Sequence, residues 1–548
     1  MDRLFETHHI RFCKSLNGMW DFVMDGNDKR YTMPVPGCWE QHPDFVKHKG
    51  VGIYTKKIYT SKKTNIRFEF KGVSHTADIF FDGVKICHHY NAYTPFSCVV
   101  KNAKVGEHEL MVIADNRYSD ASALHIPNDY YSYGGISRPV SMEYIPDVYI
   151  KYVHFTPYLK NGKWHGKTDV CLSNISDERK KITLKTELAG IVNSALLDID
   201  TGDTVHIFDN EFENISAWCH QTPVLYFLNA TVEDNGIKDD LVERVGFRTV
   251  SFDKHSLLIN GTPVFLKGVN RHEDYPPVGC AVPLQLMVSD LDIIADLGAN
   301  AIRTCHYPND ERFLDLCDER GFLVWEENHA RGMEIEDMQN PHFEKQCADC
   351  IEEMIENHYN HPCIVVWGIM NECASDVPEG KEMYRKQFEQ IKVLDTTRPT
   401  SFASNKWYTD ISFDLPDIVS YNVYNGWYTE GDTDEEILRL LDWVDKNGGK
   451  DKPVIISEFG AGAVYGYRDI SRVKWSEEGQ SDVLTDNIIS YMSKEKITGI
   501  FIWMFADCRV DEEKWALKRP KTQNNKGIVD IYRRRKLAYD EVKKLFHK

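Results

Sequence analysis

Eight consecutive residues without a charge are followed by an amide and a carboxylate in the segment Cys363-Ile364-Val365-Val366-Trp367-Gly368-Ile369-Met370-Asn371-Glu372. A short apolar run of this kind is typical of a strand buried on both faces, as in parallel sheets. Seven similar runs follow residue 251, at 264–269, 301–305, 322–325, 400–403, 418–423, 454–457 and 499–505. Amphipathic stretches such as 286–297 and 311–319 lie between several of them. Eight strand–helix units in roughly 300 residues predict a TIM barrel, which explains this half of the chain better than an all-β or a doubly wound fold.

The first 250 residues show a different pattern, in which short alternating strands follow one another. Residues 66–70 and 78–81 are typical of strands, and Asp82-Gly83 directly after them favours a hairpin turn. The β pattern repeats from about 147 to 250, a length that suits a small β-sandwich of about 100 residues. We therefore predict a multidomain chain, with two all-β domains at 1–146 and 147–250 and a C-terminal (β/α)8 barrel at 251–548.

The composition of the 548-residue chain excludes several classes of protein. Its 84 acidic and 65 basic residues give a net charge of −19, which argues against nucleic-acid binding and against a coat on anionic membranes. No apolar segment approaches the roughly 20 residues of a membrane span, and residues 1–9 lack the pattern of a secretory signal. The 14 cysteines are scattered, as in reduced cytosolic proteins. The pair Cys347 and Cys350 lacks a second pair of ligands, so we expect a cytoplasmic protein without a metal site.

Polar side chains follow the predicted barrel strands, at the ends where TIM-barrel active sites lie. They are Asn270-Arg271-His272-Glu273-Asp274, His306-Tyr307, Glu326-Glu327-Asn328, Asn371-Glu372, Tyr424, Glu458 and Asp507. If Glu372 and Glu458 end the fourth and seventh strands, they face each other across the barrel mouth. Retaining glycoside hydrolysis uses two opposed carboxyl groups, one as general acid and base and the other as nucleophile. The alternative is that each is an ordinary strand-end acid in an ion pair.

Several segments resemble the motifs of glycoside hydrolase family 2. Residues 365–372 and 455–460 are similar to its acid/base and nucleophile signatures, and 268–274 and 303–308 to two further blocks. Residues 129–138 resemble the loop by which the N-terminal domain of that family reaches the active site. The matches run from Gly18-Met19-Trp20 to the last barrel strand. The resemblance implies a jelly-roll sugar-binding-like domain, an immunoglobulin-like sandwich and a catalytic TIM barrel, in the order derived above.

The resemblance also implies roles for individual residues. Glu372 would be the acid/base and Glu458 the nucleophile, while Asn371 would hydrogen-bond the sugar 2-hydroxyl. Tyr424 matches a tyrosine that donates to the nucleophile and keeps it ionised, with packing at the barrel mouth as the alternative. Positions that match sugar-lining residues of the family are His306, Tyr428 and Trp503. For His306 and Trp503 a plain core role is the alternative.

The segment Gln523-Asn524-Asn525-Lys526-Gly527 bears on the identity of the sugar. It resembles the Asn-x-Lys motif of bacterial β-glucuronidases of this family, in which both side chains bind the C6 carboxylate of a uronic acid. An ammonium and an amide donor together form a charge-assisted anion site. The alternative is a solvated loop. Arg519 lies near the place where those enzymes often carry an arginine, and Asp129 matches their sugar-contacting aspartate.

The resemblance thus implies a retaining β-D-glucuronidase that acts on small-molecule or oligosaccharide β-glucuronides and requires no metal or organic cofactor. Two alternatives stay open: another family 2 glycosidase, such as a β-galacturonidase or β-galactosidase, and a non-catalytic glycan-binding protein. Nothing in the sequence supports or excludes a bound flavin. By analogy with the family we expect a homo-oligomer, a dimer or a tetramer.

Two further expectations concern the surroundings of the site. No long insertion separates Asn328 from the fourth strand, which predicts an open active site that tolerates large aglycones. Residues 518–536 hold eight basic residues, Lys518, Arg519, Lys521, Lys526, Arg533, Arg534, Arg535 and Lys536, against the single acid Asp530. We expect this basic segment to lie beside the barrel mouth and to hold one substrate carboxylate.

Overall fold

The computed structural model describes residues 3–513 and 518–548, so that Met1, Asp2 and residues 514–517 lie outside the described part. Its N-terminal part contains ten strands, β1 (Phe12–Ser15), β2 (Gly18–Met24), β3 (Arg30–Val35), β4 (Val51–Thr60), β5 (Thr64–Phe70), β6 (Thr76–Phe81), β7 (Val84–Tyr90), β8 (Phe96–Ala103), β9 (Gly106–Asp115) and β10 (Val140–Ile145). They form two sheets, in the orders β1-β10-β5-β8 and β3-β2-β4-β9-β6-β7. A core that includes Trp20, Phe22 and Phe68 lies between them.

The strands predicted at 66–70 and 78–81 are β5 and β6, and they belong to different sheets. The predicted hairpin joins β6 to β7. Asp82 and Gly83 at its turn have φ values of 48° and 77°, the left-handed conformation that this kind of two-residue turn requires.

Seven strands form the second part, which is also a two-sheet sandwich. They are β11 (Val148–Lys160), β12 (Lys163–Asn174), β13 (Lys180–Leu188), β14 (Ile191–Ile199), β15 (Gly202–Phe212), β16 (Tyr226–Asp234) and β17 (Ile237–Val245). Their sheet orders are β11-β12-β15 and β14-β13-β16-β17. A small three-stranded sheet, β18 (Val250–Phe252), β19 (Leu257–Ile259) and β20 (Thr262–Val264), leads into the third part.

The third part is a closed barrel of eight parallel strands in sequence order, which confirms the predicted TIM barrel. The strands are β21 (Leu266–Asn270), β22 (Ala301–Thr304), β23 (Leu323–Glu327), β24 (Ile364–Asn371), β25 (Thr400–Ser404), β26 (Val419–Asn422), β27 (Val454–Phe459) and β28 (Ile497–Ile502). Every residue of β22 to β28 is buried, which explains why these strands are mostly apolar in the sequence. The charged exceptions, Arg303, Glu326, Glu327 and Glu458, are the last or the penultimate residues of their strands.

Helices cover the barrel strands on the outside. They are α1 (Leu284–Leu297), α2 (Glu311–Arg320), α3 (Ile335–Met338), α4 (Phe343–His358), α5 (Pro378–Leu394), α6 (Thr433–Lys446), α7 (Glu477–Met492) and α8 (Leu537–Phe546), and a short ribbon of β29 (Cys508–Arg509) and β30 (Gln523–Asn524) lies between β28 and α8. Helix α2 begins where Asp310 accepts a hydrogen bond from the Arg312 amide, and it ends at Gly321 with φ 73°. None of the described helices combines the length and the apolar composition that crossing a membrane requires.

A loop of the N-terminal part, residues 128–138, reaches the mouth of the barrel. Glu40 accepts a hydrogen bond from the Gly134 amide at 3.0 Å, which fixes the loop to its own domain. On the barrel side, the Tyr133 hydroxyl donates to Asp274 at 2.8 Å and Arg138 pairs with Glu273 at 2.8 Å. The loop is therefore held from both sides, and it brings Asp129 to the barrel.

Candidate active site

Two glutamates lie at the ends of the fourth and seventh barrel strands, as predicted. Glu372 directly follows β24, and Glu458 lies in β27. Met370 and Glu372 have φ values of 30° and 55°, in the left-handed region that side-chain-bearing residues rarely adopt. Such strain persists only where the surrounding structure enforces it, and it concentrates at functional sites.

Glu458 is almost fully buried, and both of its oxygens are contacted. The Tyr424 hydroxyl donates to Oε2 at 2.6 Å, and Arg303 Nη1 donates to Oε1 at 3.0 Å. Burial and the nearby carboxylate of Glu372 raise the pKa of Glu458 to about 7, while Arg303 and the Tyr424 hydrogen bond act in the opposite direction. Tyr424 therefore makes the contact expected of it, although burial outweighs its effect on the pKa.

Arg303, on β22, connects several of these groups. Its guanidinium, which is inaccessible to solvent, donates to both oxygens of Glu327 at 2.8 and 2.9 Å. It also donates to Asn371 Oδ1 at 2.9 Å. With its oxygen held in this way, the Asn371 amide nitrogen is buried and has no hydrogen-bond partner within the described chain. A buried donor without a partner is rare in proteins, and this one directly precedes Glu372.

Glu372 is contacted from the neighbouring strands. Asn422 Nδ2, at the end of β26, donates to Glu372 Oε1 at 2.8 Å, and Ser457 orients this amide by donating to its oxygen at 2.8 Å. Arg331 Nη2 lies 3.7 Å from Glu372 Oε2. Arg331 also donates to the side-chain oxygen of Asn128, on the loop from the N-terminal part.

A cavity of about 820 Å³ opens above the two glutamates. Its wall is formed by Ile126, Pro127, Asn128, Asp129, Arg331, Gly332, Glu334, Asp337, Glu372, Asn405, Trp407, Asn422, Tyr424, Tyr428, Glu458, Trp503, Lys518, Arg519 and Lys526. This volume lies in the upper part of the range typical of small-molecule sites. It exceeds what one monosaccharide fills.

Cationic groups lie at one side of the cavity. Lys526 Nζ donates to the Tyr428 hydroxyl at 2.6 Å and lies 4.5 Å from the ring centres of both Tyr424 and Tyr428. Burial and the neighbouring Arg519 lower the pKa of Lys526 to about 7. An anion bound at this position would favour the charged form of Lys526, because it offers the ammonium and the guanidinium a counter-charge.

The carboxylate of Asp129 accepts hydrogen bonds from both Arg519 and Asn524. Arg519 donates through Nε to Asp129 Oδ1 at 3.1 Å and through Nη2 to the other carboxylate oxygen. Asn524 Nδ2 donates to Asp129 Oδ2 at 2.9 Å. Of the three, Asp129 and Arg519 line the cavity, whereas Asn524 lies behind Asp129.

His306 lies in the layer behind the cavity wall. Its Nδ1 is 2.8 Å from Glu327 Oε1, and its Nε2 is 3.8 Å from Glu458 Oε1. Burial and the Arg303 charge hold the pKa of His306 well below its usual range, so the ring is neutral. It stacks on Trp503 with ring centres 5.0 Å apart, and Trp503 lines the cavity.

The predicted site residues therefore converge on one cavity in two layers. Those in the wall are Glu372, Glu458, Asp129, Tyr424, Tyr428, Trp503, Arg519 and Lys526, and those behind it are His306, Asn371 and Asn524. Glu327 was predicted only as one of the strand-end polar residues and Arg303 only as part of the block 303–308, and Arg331 and Asn422 were not predicted as site residues. Glu327 and Asn422 end barrel strands and Arg303 is the penultimate residue of β22, which was a usable signal, whereas Arg331 lies in a loop without such a signal.

The basic segment 518–536 differs from the expectation that it lies as a whole beside the barrel mouth. Lys518, Arg519 and Lys526 line the cavity. The others for which ion pairs are described point elsewhere: Lys536 pairs with Asp507, Arg533 with Asp290, Arg534 with Asp530 and Arg535 with Asp296. Each of these four basic side chains is therefore paired with an acid that is not part of the cavity wall.

A TIM barrel with two glutamates at the ends of its fourth and seventh strands, on one cavity, is the arrangement of a glycoside hydrolase. A model of the TIM barrel domain of glycosyl hydrolases family 2 matches residues 250–548, and a second family 2 model matches residues 148–248. The chain belongs to glycoside hydrolase family 2.

Three relatives illustrate the range of similarity. The β-galacturonidase from Eisenbergiella tayi, solved with galacturonate, is 46% identical over 100% of this chain and 99% of its own, with a TM-score of 0.96. A β-glucuronidase from an uncultured Clostridium is 26% identical over 100% of both chains, with a TM-score of 0.87. The β-glucuronidase of Streptococcus agalactiae is 27% identical over 96% of this chain and 95% of its own length.

Proposed function

We propose that this protein is a β-D-uronidase that hydrolyses β-D-glucuronides with retention of the anomeric configuration. The observation that carries the proposal is a single cavity that joins Glu372 and Glu458 to the buried ammonium of Lys526 and the guanidinium of Arg519. The two carboxyl groups supply the chemistry of glycoside cleavage, and the two cations fit a carboxylate at C6 of the sugar.

In the first step, the Glu458 carboxylate attacks the anomeric carbon while the bond from that carbon to the glycosidic oxygen breaks. Glu372 transfers its proton to the departing oxygen, and a glycosyl ester of Glu458 forms. Arg303 and Tyr424 contact the two oxygens of Glu458 and hold the attacking group in place. The Asn371 amide, which lies behind the cavity wall without a partner, would donate to the sugar 2-hydroxyl, as the family resemblance implies.

In the second step, a water molecule attacks the anomeric carbon of the ester. Glu372, now a carboxylate, accepts a proton from that water, and Glu458 leaves as a carboxylate. Asn422 donates to Glu372 at 2.8 Å and fixes its orientation in both steps. Two inversions at one carbon give net retention, and neither a metal nor an organic cofactor takes part.

A second candidate function is the hydrolysis of β-D-galacturonides, whose sugar differs from glucuronate only in the configuration at C4. The observation that favours it is the 46% identity to the β-galacturonidase of Eisenbergiella tayi, against 26% and 27% for the two β-glucuronidases above. Lys526 and Arg519 serve both sugars equally, because both carry the carboxylate at C6.

The test is a panel of 4-nitrophenyl β-glycosides that contains the glucuronide, the galacturonide, the galactoside and the glucoside. Wild type is compared with Lys526→Ala, and Glu458→Gln is the inactive reference. We expect kcat/KM to be highest for the glucuronide, and Lys526→Ala to lower uronide cleavage at least 100-fold. A preference for the galacturonide establishes the second candidate. A preference for a neutral glycoside overturns both, and no turnover in the whole panel supports a glycan-binding protein without catalysis.

We also propose that the protein is cytoplasmic and forms a homo-oligomer. The 13 cysteines other than Cys13 are free thiols, which supports a reducing compartment. The proposal of a dimer or a tetramer rests on the family resemblance alone.

A further inference from the structure

We infer that the part of the cavity next to Trp407 is a binding site for the aglycone, and that it takes aglycones with a planar apolar face. This inference rests on the proposed function and specifies its substrate class. It starts from the size of the cavity, about 820 Å³, which one uronic acid residue leaves partly empty.

The order of the strands around the barrel shows which side of the cavity faces the aglycone. Glu372 follows β24, and its neighbours on the two sides are the loops after β23 and β25. The Gly332 amide, after β23, donates to the Asn371 carbonyl at 2.8 Å, and the Glu372 amide donates to Ala403 of β25 at 2.8 Å. Lys526 and Arg519 come after β28. Because Glu372 protonates the glycosidic oxygen, the loops beside it lie on the side of the leaving group.

Trp407 is the large aromatic residue that these two loops contribute to the cavity wall. Its side chain is partly exposed, and its φ of 38° is in the left-handed region, which is unfavourable for a tryptophan. The surrounding structure enforces this conformation, since the buried Tyr421 side chain donates its hydroxyl to the Trp407 carbonyl at 2.9 Å. The neighbouring Lys406 pairs with Glu334 at 3.2 Å and so ties the two loops together. A strained, anchored and partly exposed indole is a preorganised stacking surface.

Other groups of the same cavity wall bear on the kind of aglycone. Ile126 and Pro127 add apolar surface to the cavity, and a side chain on Gly332 would point into open space. Glu334 and Asp337 are exposed carboxylates at the rim, and they are balanced by Lys406, which pairs with Glu334, and by Arg331 in the cavity wall. The site therefore suits a planar group, either an aromatic ring or the CH face of a pyranose.

The experiment compares kcat/KM for the phenyl and the methyl β-uronide of the preferred sugar. This quantity covers the steps up to and including cleavage of the glycosidic bond, and the aglycone is present in all of them. We expect Trp407→Ala to lower the phenyl-to-methyl ratio about tenfold, and Trp407→Phe to keep most of it. Tyr408→Ala is the matched control, since Tyr408 adjoins Trp407 but is no part of the described cavity wall, and it should keep the wild-type ratio. The thermal midpoint of each variant reports whether it is folded.

A third substrate, a uronosyl-β-glucose disaccharide, distinguishes the two kinds of planar face. If Trp407→Ala lowers kcat/KM for the phenyl uronide alone, the site binds aromatic rings. If it lowers kcat/KM for the disaccharide equally, the site binds both aromatic rings and the CH face of a pyranose. If Trp407→Ala is folded and keeps the wild-type phenyl-to-methyl ratio, the inference is overturned while the proposed function stands. A wild type that hydrolyses neither uronide overturns both.

Discussion

Glu458 and Lys526 carry opposite charges on one cavity, and burial moves their pKa values towards each other. Desolvation disfavours the charged form of either group, so it raises the pKa of Glu458 to about 7 and lowers that of Lys526 to about 7. The proposed reaction needs both groups charged, Glu458 to attack and Lys526 to bind the substrate carboxylate, and it also needs Glu372 to hold a proton for the leaving group. The pH dependence of the reaction follows from this requirement.

We expect kcat/KM for a β-glucuronide to peak near pH 7. Below this pH, Glu458 takes up a proton and no longer attacks, and above it Lys526 loses its proton and no longer binds the carboxylate. The measurement is a pH profile of kcat/KM for wild type and for Lys526→Arg. Arginine stays charged, so the alkaline limb should move to higher pH in that variant while the acidic limb remains. An alkaline limb that is identical in both proteins would contradict the role of Lys526.

Asn422 acts on the reaction through Glu372. We expect Asn422→Ala to lower kcat/KM by about 10- to 100-fold, the usual effect of losing a hydrogen bond to a charged group. Because its contact is with the acid/base, the loss should be larger for a poor leaving group than for 4-nitrophenolate. The check is the ratio of kcat/KM for the methyl and the 4-nitrophenyl uronide. Equal losses on both substrates would assign Asn422 a role in ground-state binding instead.

At the scale of elements, the loop 128–138 completes the barrel site from another domain. Its Asp129 is buried against Arg519 and Asn524, which belong to the segment after β28. Removing one partner of a buried ion pair costs roughly 3–5 kcal/mol, because the other charge is left without compensation. The position of Arg519 in the cavity wall therefore depends on the carboxylate of Asp129, which belongs to the N-terminal part.

We expect Asp129→Ala to lower the thermal midpoint and to raise the KM for a uronide at least tenfold, since Arg519 loses its fixed position. Asp115→Ala is the matched control. Asp115 also pairs with an arginine of the same domain, Arg117 at 2.8 Å, but that arginine is mostly exposed, and such pairs contribute about 0–1 kcal/mol. Similar effects of the two substitutions on KM would contradict the positioning role of Asp129.

The elements also show what the sequence can and cannot predict. The barrel strands were predictable because burial on both faces leaves an uninterrupted apolar run, and Glu372 and Glu458 were predictable because they end such runs. The separation of β5 and β6 into two sheets was not, since alternation fixes the face of a strand but not its partner. The partners of Arg533 and Arg535, Asp290 and Asp296, lie more than two hundred residues away in the chain, and Arg331 carries no pattern at all.

At the scale of the whole molecule, the N-terminal segment joins all three parts. Arg3 pairs with Asp315 of α2 at 2.8 Å. Arg11 donates to both oxygens of Asp239 on β17 at 2.9 and 2.7 Å and to Glu143 on β10 at 2.9 Å. These side chains are buried, so the domain interfaces contain charge networks that are complete only when the parts are assembled.

We expect Arg11→Ala to destabilise the protein by about 3–5 kcal/mol, because Asp239 would stay buried without its cation, whereas Glu143 would keep Arg67 at 2.9 Å. Thermal and urea denaturation measure the change. Arg11 is remote from the catalytic cavity, so kcat at 25 °C should stay within about twofold of wild type. An unchanged midpoint would show that the assembled domains do not depend on this network.

The net charge of −19 is compatible with an anionic substrate because the local charge at the cavity differs from the total. Lys526 and Arg519 present positive charge where a uronic acid would place its carboxylate, and most other charges of the basic segment are paired elsewhere. The acidic surface still disfavours polyanionic partners.

In the proposed mechanism, Glu458 forms a covalent bond to a uronic acid. Incubation with 2-deoxy-2-fluoro-β-D-glucuronyl fluoride, and with its galacturonyl epimer, tests it, because the fluorine at C2 slows the second step and lets the ester accumulate. Peptide mass mapping should find one fluorouronyl group per chain, on the peptide that contains Glu458, with the faster-reacting epimer identifying the substrate. If the protein cleaves uronides but neither reagent labels it, or if the label is on another residue, Glu458 is not the nucleophile.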